Sequence, residues 1–67
     1  MNVNKLKAKI VENGMNVEEL ADIIGTNRAT LYRKLNKTGR ITIKEAARMK
    51  EALGMTAEEA QSIFFAE

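Results

Sequence analysis

Apolar residues recur along this chain in short stripes of helical spacing, separated by polar residues of the kinds that cap helices. Val3, Leu6 and Ile10 follow one another at intervals of three and four, the mark of an amphipathic helix, and Gly14 lies just past its end. Asn16 is a good N-cap with Glu19 three residues on, so a second helix is expected from Val17 through Leu20, Ala21, Ile23 and Ile24 to Gly25. After a connection of about three residues, in which Thr26 and Asn27 can cap, Leu31 and Leu35 form an i,i+4 pair on a third helix. The sequence NKTGRI, residues 36–41, reads as a loop. Thr42 with Glu45, and Thr56 with Glu59, each have the spacing of a capping box. The first box opens a fourth helix with core face Ala46, Met49 and Leu53, stopped by Gly54; the second opens a last helix carrying Ala60, Ile63 and Phe64. The expected fold is all-α, a compact bundle of five short helices in a single domain over residues 1–67, with no internal repeat or linker.

Size and composition narrow what such a bundle can do. A chain of 67 residues buries only about 60% of its unfolded surface, so it needs a well-packed helical core or a partner chain. There is no Cys and no His, which removes disulfides, thiol nucleophiles, imidazole bases and every usual zinc ligand set except carboxylates. Asp22 is the only Asp, so no acid stands beside a base in an evident catalytic pair. No catalytic residue, metal site, cofactor or small-molecule ligand is expected. The apolar runs, such as Ile63-Phe64-Phe65-Ala66, are too short to span a bilayer, and the N-terminal MNVNKLKAKI lacks the pattern of a signal peptide. A cytoplasmic protein with no membrane partner is expected.

The formal charge of +2 conceals an uneven distribution. Residues 15–25 carry Glu18, Glu19 and Asp22 without a base, whereas residues 26–40 carry Arg28, Arg33, Lys34, Lys37 and Arg40 without an acid. A run of like charge is commonly just a solvated face. Here, however, the basic element follows a short helix and a three-residue connection, which is what a reader of the DNA major groove requires: phosphates attract the charge and a helix fits the groove.

The stretch LADIIGTNRATLYRKL, residues 20–35, resembles the helix-turn-helix of the Cro and phage-repressor (XRE-type) family of DNA-binding regulators. The family's small residue in the first motif helix matches Ala21, its turn glycine matches Gly25, and its shared core positions match Leu20, Ile24 and Leu31, placing the motif over residues 17–36. The segment ITIKEAARMKEALGMTAEEA is similar to the family's fourth and fifth helices, and the YRKL and IFF sequences look most like short phage and prophage regulators of Gram-positive bacteria. Three positions depart from the pattern. Val17 stands where Gln commonly touches a phosphate, Thr26 where Val or Ile is common, and Lys34 where an apolar residue is frequent, with Leu35 taking over the core contact.

With about 100° per residue, Leu31 and Leu35 define the buried side of the third helix; Ala29 and Arg33 then point away from it, Thr30 and Asn36 flank them, and Arg28 and Tyr32 lie nearer the core boundary. The resemblance implies that Arg28, Ala29, Tyr32 and Arg33 are the base-reading positions. Arg28 and Arg33 are suited to grip guanine, Ala29 to meet a thymine methyl or simply leave room, and Tyr32 to stack on a sugar, meet a thymine methyl or cover the core edge. Asn27, Thr30, Lys37 and Arg40 are candidates for phosphate contact, Asn27 also serving as the helix cap. Lys34 is expected to be a solvated flank, and Lys5, Lys7 and Lys9 an exposed helix face.

Ile63, Phe64 and Phe65 span about 200° of a helix and cannot all enter one small core, so the surplus is either a frayed end or a homodimer interface. The leading expectation is a Cro-like repressor that occupies operator DNA, double-stranded and with two-fold related half-sites. The alternative is a protein-interaction module, antitoxin-like or the partner of an anti-repressor, in which the same bundle contacts another protein.

Overall fold

A computed structural model describes residues 1–38 and 40–65. Among these residues there are five α-helices: α1 (Val3–Glu12), α2 (Val17–Ile24), α3 (Arg28–Arg33), α4 (Ile43–Ala52) and α5 (Ala57–Phe64). Gly39, one of the four punctuating glycines, and Ala66 lie outside the described residues.

Each helix begins where a side chain can take an orphan backbone N–H. Asn2 accepts from Lys5 N at 3.1 Å and Asn16 from Glu19 N at 2.8 Å. Thr42 with Glu45, and Thr56 with Glu59, complete both halves of their capping boxes. The α2 terminus closes on Gly25, whose φ of 78° is the left-handed conformation that glycine adopts without penalty. Its last carbonyl, Ile24 O, accepts a hydrogen bond from Arg48 Nη1 at 2.8 Å, so a long cationic side chain of α4 seals the turn between α2 and α3.

The expected loop at 36–41 begins later than the sequence pattern implies. α3 does not stop after Leu35 but widens into a π-helical turn, Lys34–Thr38. Two interactions accompany the widening. The Asn36 side-chain amide donates to Tyr32 O at 2.9 Å, taking the carbonyl that the backbone N–H of residue 36 would use in α-helical register. Lys34, expected to be solvated, instead donates from Nζ to both Glu45 carboxylate oxygens at 2.8 and 2.9 Å, tying the end of α3 to the start of α4. Burial pushes the Glu45 carboxyl up, but hydrogen bonds from Lys34 and Thr42 outweigh it and hold the group below its ordinary value.

The core contains the residues that helical spacing selected, Leu6, Ile10, Leu20, Ala21, Ile24, Leu31, Leu35, Met49, Leu53 and Ile63, with Met55 added from the short connection between α4 and α5. α2 packs against both α3 and α4, and α5 against α1 and α4. Ala21, fully buried, presents only a methyl group where a larger side chain would hold neighbouring helices apart. Val3, Ala46, Ala60 and Phe64 are half-buried, and Ile23 is exposed rather than part of the core. Polar ties close the bundle at its ends: Asn13 Nδ2 donates to Lys9 O and Leu53 O at 2.9 and 3.1 Å, and Asn2 N donates to Ile63 O at 2.7 Å.

Ile63 corrects one expectation. It is 4% exposed and belongs to the core, so it is not available to an intermolecular contact; the apolar surplus at this end falls on Phe65, 66% exposed.

Candidate nucleic-acid interface

The first residues of α3 are held by Asn27, whose side-chain oxygen accepts from Ala29 N at 2.7 Å and Thr30 N at 3.4 Å. A helix of six residues is too short to persist alone, so α3 depends on this cap and on the burial of Leu31 and Leu35 against its neighbours. With those two leucines turned inward, Ala29, Tyr32 and Arg33 are exposed, and so is Arg28 at the helix start. Thr30 is half-buried; Asn27, Lys37 and Arg40 are exposed. The fold therefore brings all four expected base-reading positions onto the solvent side of one short helix; of the expected phosphate contacts, Asn27 caps its start, Thr30 lies within it, and Lys37 and Arg40 follow it in sequence.

Charge on this surface differs from the sequence count in three ways. Lys34 is withdrawn from it by Glu45. Arg28 Nη1 meets Glu18 Oε2, on the first turn of α2, at 2.9 Å, so an acid from the neighbouring helix enters the basic face. Lys7, read from the sequence as part of a plain helix face, donates from Nζ to Asn36 Oδ1 at 2.9 Å and so sets a cation of α1 beside the C-terminal end of α3. No local pattern could have singled out Lys7 from Lys5, which donates to Ser62 on α5, or from Lys9, which pairs with Glu59 at 2.7 Å and Glu12 at 3.5 Å. The Glu59 hydrogen bond raises the Lys9 pKa, and the Lys9 hydrogen bond holds Glu59 below its ordinary value.

Beside α3 lies an open groove of about 630 Å³. Val11 of α1, Met15 of the connection and Val17 of α2 supply apolar surface, while Arg28, Ala29 and Tyr32 supply the α3 side, with Asn16 and Glu18 at the start of α2. Val11 and Tyr32 are both largely exposed. Among the described residues no group of three or more His, Cys, Asp or Glu side chains could hold a metal ion, and no helix is long and apolar enough to cross a membrane.

A family model for the helix-turn-helix domain of resolvase matches residues 8–38. The match takes in the second half of α1, all of α2 and α3, and the π-helical turn, which is the part of the bundle that carries the basic face. No curated protein and no solved structure matches the chain. The two motif helices and the glycine-closed turn between them have the arrangement of a helix-turn-helix, and over residues 8–38 the chain is similar to that DNA-binding family.

Proposed function

We propose that the protein is a sequence-specific regulator of transcription, a Cro-like repressor that lays α3 in the major groove of operator DNA and excludes competing proteins by occupancy. The observation that carries this reading is the exposed face of α3: Arg28, Ala29, Tyr32 and Arg33 project from a helix anchored by its cap and by Leu31 and Leu35, within a segment that contains no acid. Arg28 and Arg33 read guanine by paired donors to O6 and N7; Ala29 and Tyr32 meet thymine methyl or sugar. Asn27, Thr30, Lys37 and Arg40 set the register on the phosphates, and Lys7 joins them from α1 through its position at Asn36.

Two copies bind one operator, their recognition helices about 34 Å apart in successive major grooves. The support for self-association is an apolar surface on which Ile43 is 80% exposed and Phe65 66% exposed, around a hollow of about 300 Å³ that Met1, Ile41 and Phe64 also line. Occupancy is then governed by protein concentration and dimerisation.

The test is selection of binding sites from random duplexes, followed by salt-titrated binding of the selected and random DNA to wild type and Arg33→Ala. The expected results are a preferred two-fold related site, guanine enriched at fixed positions, two chains per duplex, a steep fall of affinity with salt, and loss of the preference in Arg33→Ala with helicity intact. Equal, weak binding to both DNAs would overturn the operator reading and leave the bundle as a protein-binding module acting through its Phe64 and Phe65 end.

A further inference from the structure

The Glu18–Arg28 pair has no evident purpose in the fold. Its two side chains are 60% and 65% exposed, and exposed ion pairs contribute little to stability. It also works against simple attraction to DNA, because it places a carboxylate on the surface that would meet phosphates. Resting on the DNA-binding reading above, we infer that Glu18 is a specificity-determining residue that acts by positioning Arg28.

The contact is made at one corner of the guanidinium, Nη1 to Oε2 at 2.9 Å. An arginine carries five N–H donors in a planar fork, and a guanine needs two of them, so a single corner held by Glu18 leaves enough of the fork for O6 and N7. The remaining freedom of a long, flexible side chain is reduced before DNA arrives. At a site with guanine opposite, Arg28 bonds base and Glu18 together. Opposite any other base, Arg28 stays with Glu18, and the carboxylate repels the backbone. Without Glu18, the guanidinium is free to swing to a phosphate and hold any sequence equally well. Glu18 therefore lowers affinity for all DNA but lowers it most for the wrong DNA, which is how a repulsive element creates specificity.

Glu19, the adjacent acid on α2, serves as the control for charge alone, since its removal changes net charge equally without touching Arg28. Wild type, Glu18→Ala, Glu19→Ala, Arg28→Ala and the Glu18→Ala/Arg28→Ala double variant are titrated with the selected duplex, with single-base variants of it, and with random duplex, after circular dichroism has shown unchanged helicity. Glu18→Ala is expected to bind random duplex more tightly and to lose roughly five-fold or more of the selected-to-random ratio, the loss falling on the base pair whose identity ceases to matter in Arg28→Ala. In the Arg28→Ala background, Glu18→Ala should leave the ratio unchanged. If Glu18→Ala and Glu19→Ala raise affinity for both duplexes by the same factor and keep the ratio, Glu18 is a general charge and the inference fails while operator binding stands. If wild type itself shows no preference for any selected duplex, the operator reading falls first, and this inference with it.

Discussion

Asn27 caps α3 and is proposed to contact a phosphate as well, and two substitutions separate those roles. Its side-chain oxygen takes the N–H groups of Ala29 and Thr30, leaving the amide end of the side chain for a phosphate. Asn27→Ala removes the cap at a cost of about 1 kcal/mol, within a range of roughly 0.5–2. For a domain of this size, each kcal/mol lowers Tm by about 4–8 °C, so thermal melts by circular dichroism should resolve the change. Asn27→Asp keeps an oxygen in the capping position and adds negative charge at the positive end of a helix, so its Tm should equal or exceed that of wild type. On DNA the order reverses. A new carboxylate about 4 Å from a phosphate costs on the order of 1 kcal/mol even at the dielectric constant of water, so Asn27→Asp should bind at least about five-fold more weakly, and more weakly than Asn27→Ala. The two orders are opposite: Asp above Ala in Tm, Ala above Asp in affinity. If Asn27→Asp binds DNA as wild type does, Asn27 is not near a phosphate; if Asn27→Ala melts with wild type, the cap does not hold α3.

Lys7→Gln should weaken binding to selected and random duplex alike and reduce the slope of log affinity against log salt by about 0.9, the release of one counterion, whereas Lys50→Gln on α4 should leave the slope unchanged. An unaltered slope in Lys7→Gln would confine that lysine to its contact with Asn36. Glu45 and Glu59 both titrate below their ordinary 4.5 in the folded chain, so their contribution to stability is complete above that pH and is lost as pH falls through the depressed values. Tm should therefore be lower at pH 3 than at pH 6, and Glu45→Gln should narrow the difference; an equal difference in Glu45→Gln would refute the assignment to that carboxyl.

Helix starts were legible in the sequence because a cap is local. Asn16 with Glu19, Thr42 with Glu45 and Thr56 with Glu59 satisfy backbone groups within three residues, and no other part of the chain is needed to complete them. The apolar spacing was legible for a related reason: helical geometry alone places Leu31 and Leu35 on one side of α3 and Ala29 and Arg33 on the other. Fold class, the buried leucines and the exposed face of α3 follow from those two local signals.

What a helix meets is not a periodic property. That Lys34 reaches Glu45, that Glu18 reaches Arg28, that Lys7 reaches Asn36 and that Arg48 closes the end of α2 depend on how helices cross, and each pair is separated by at least ten residues. The same crossings bury Met55 from a connection with no helical spacing of its own and leave Ile43 outside the core. The five α-helices and the face that each turns inward could be read along the chain, because caps and helical spacing are satisfied by near neighbours, whereas the π-helical turn after α3 could not. Which charges remain free on the exposed face of α3 was settled by the packing of the helices, because an ion pair requires two side chains that distant parts of the chain bring within about 4 Å of one another.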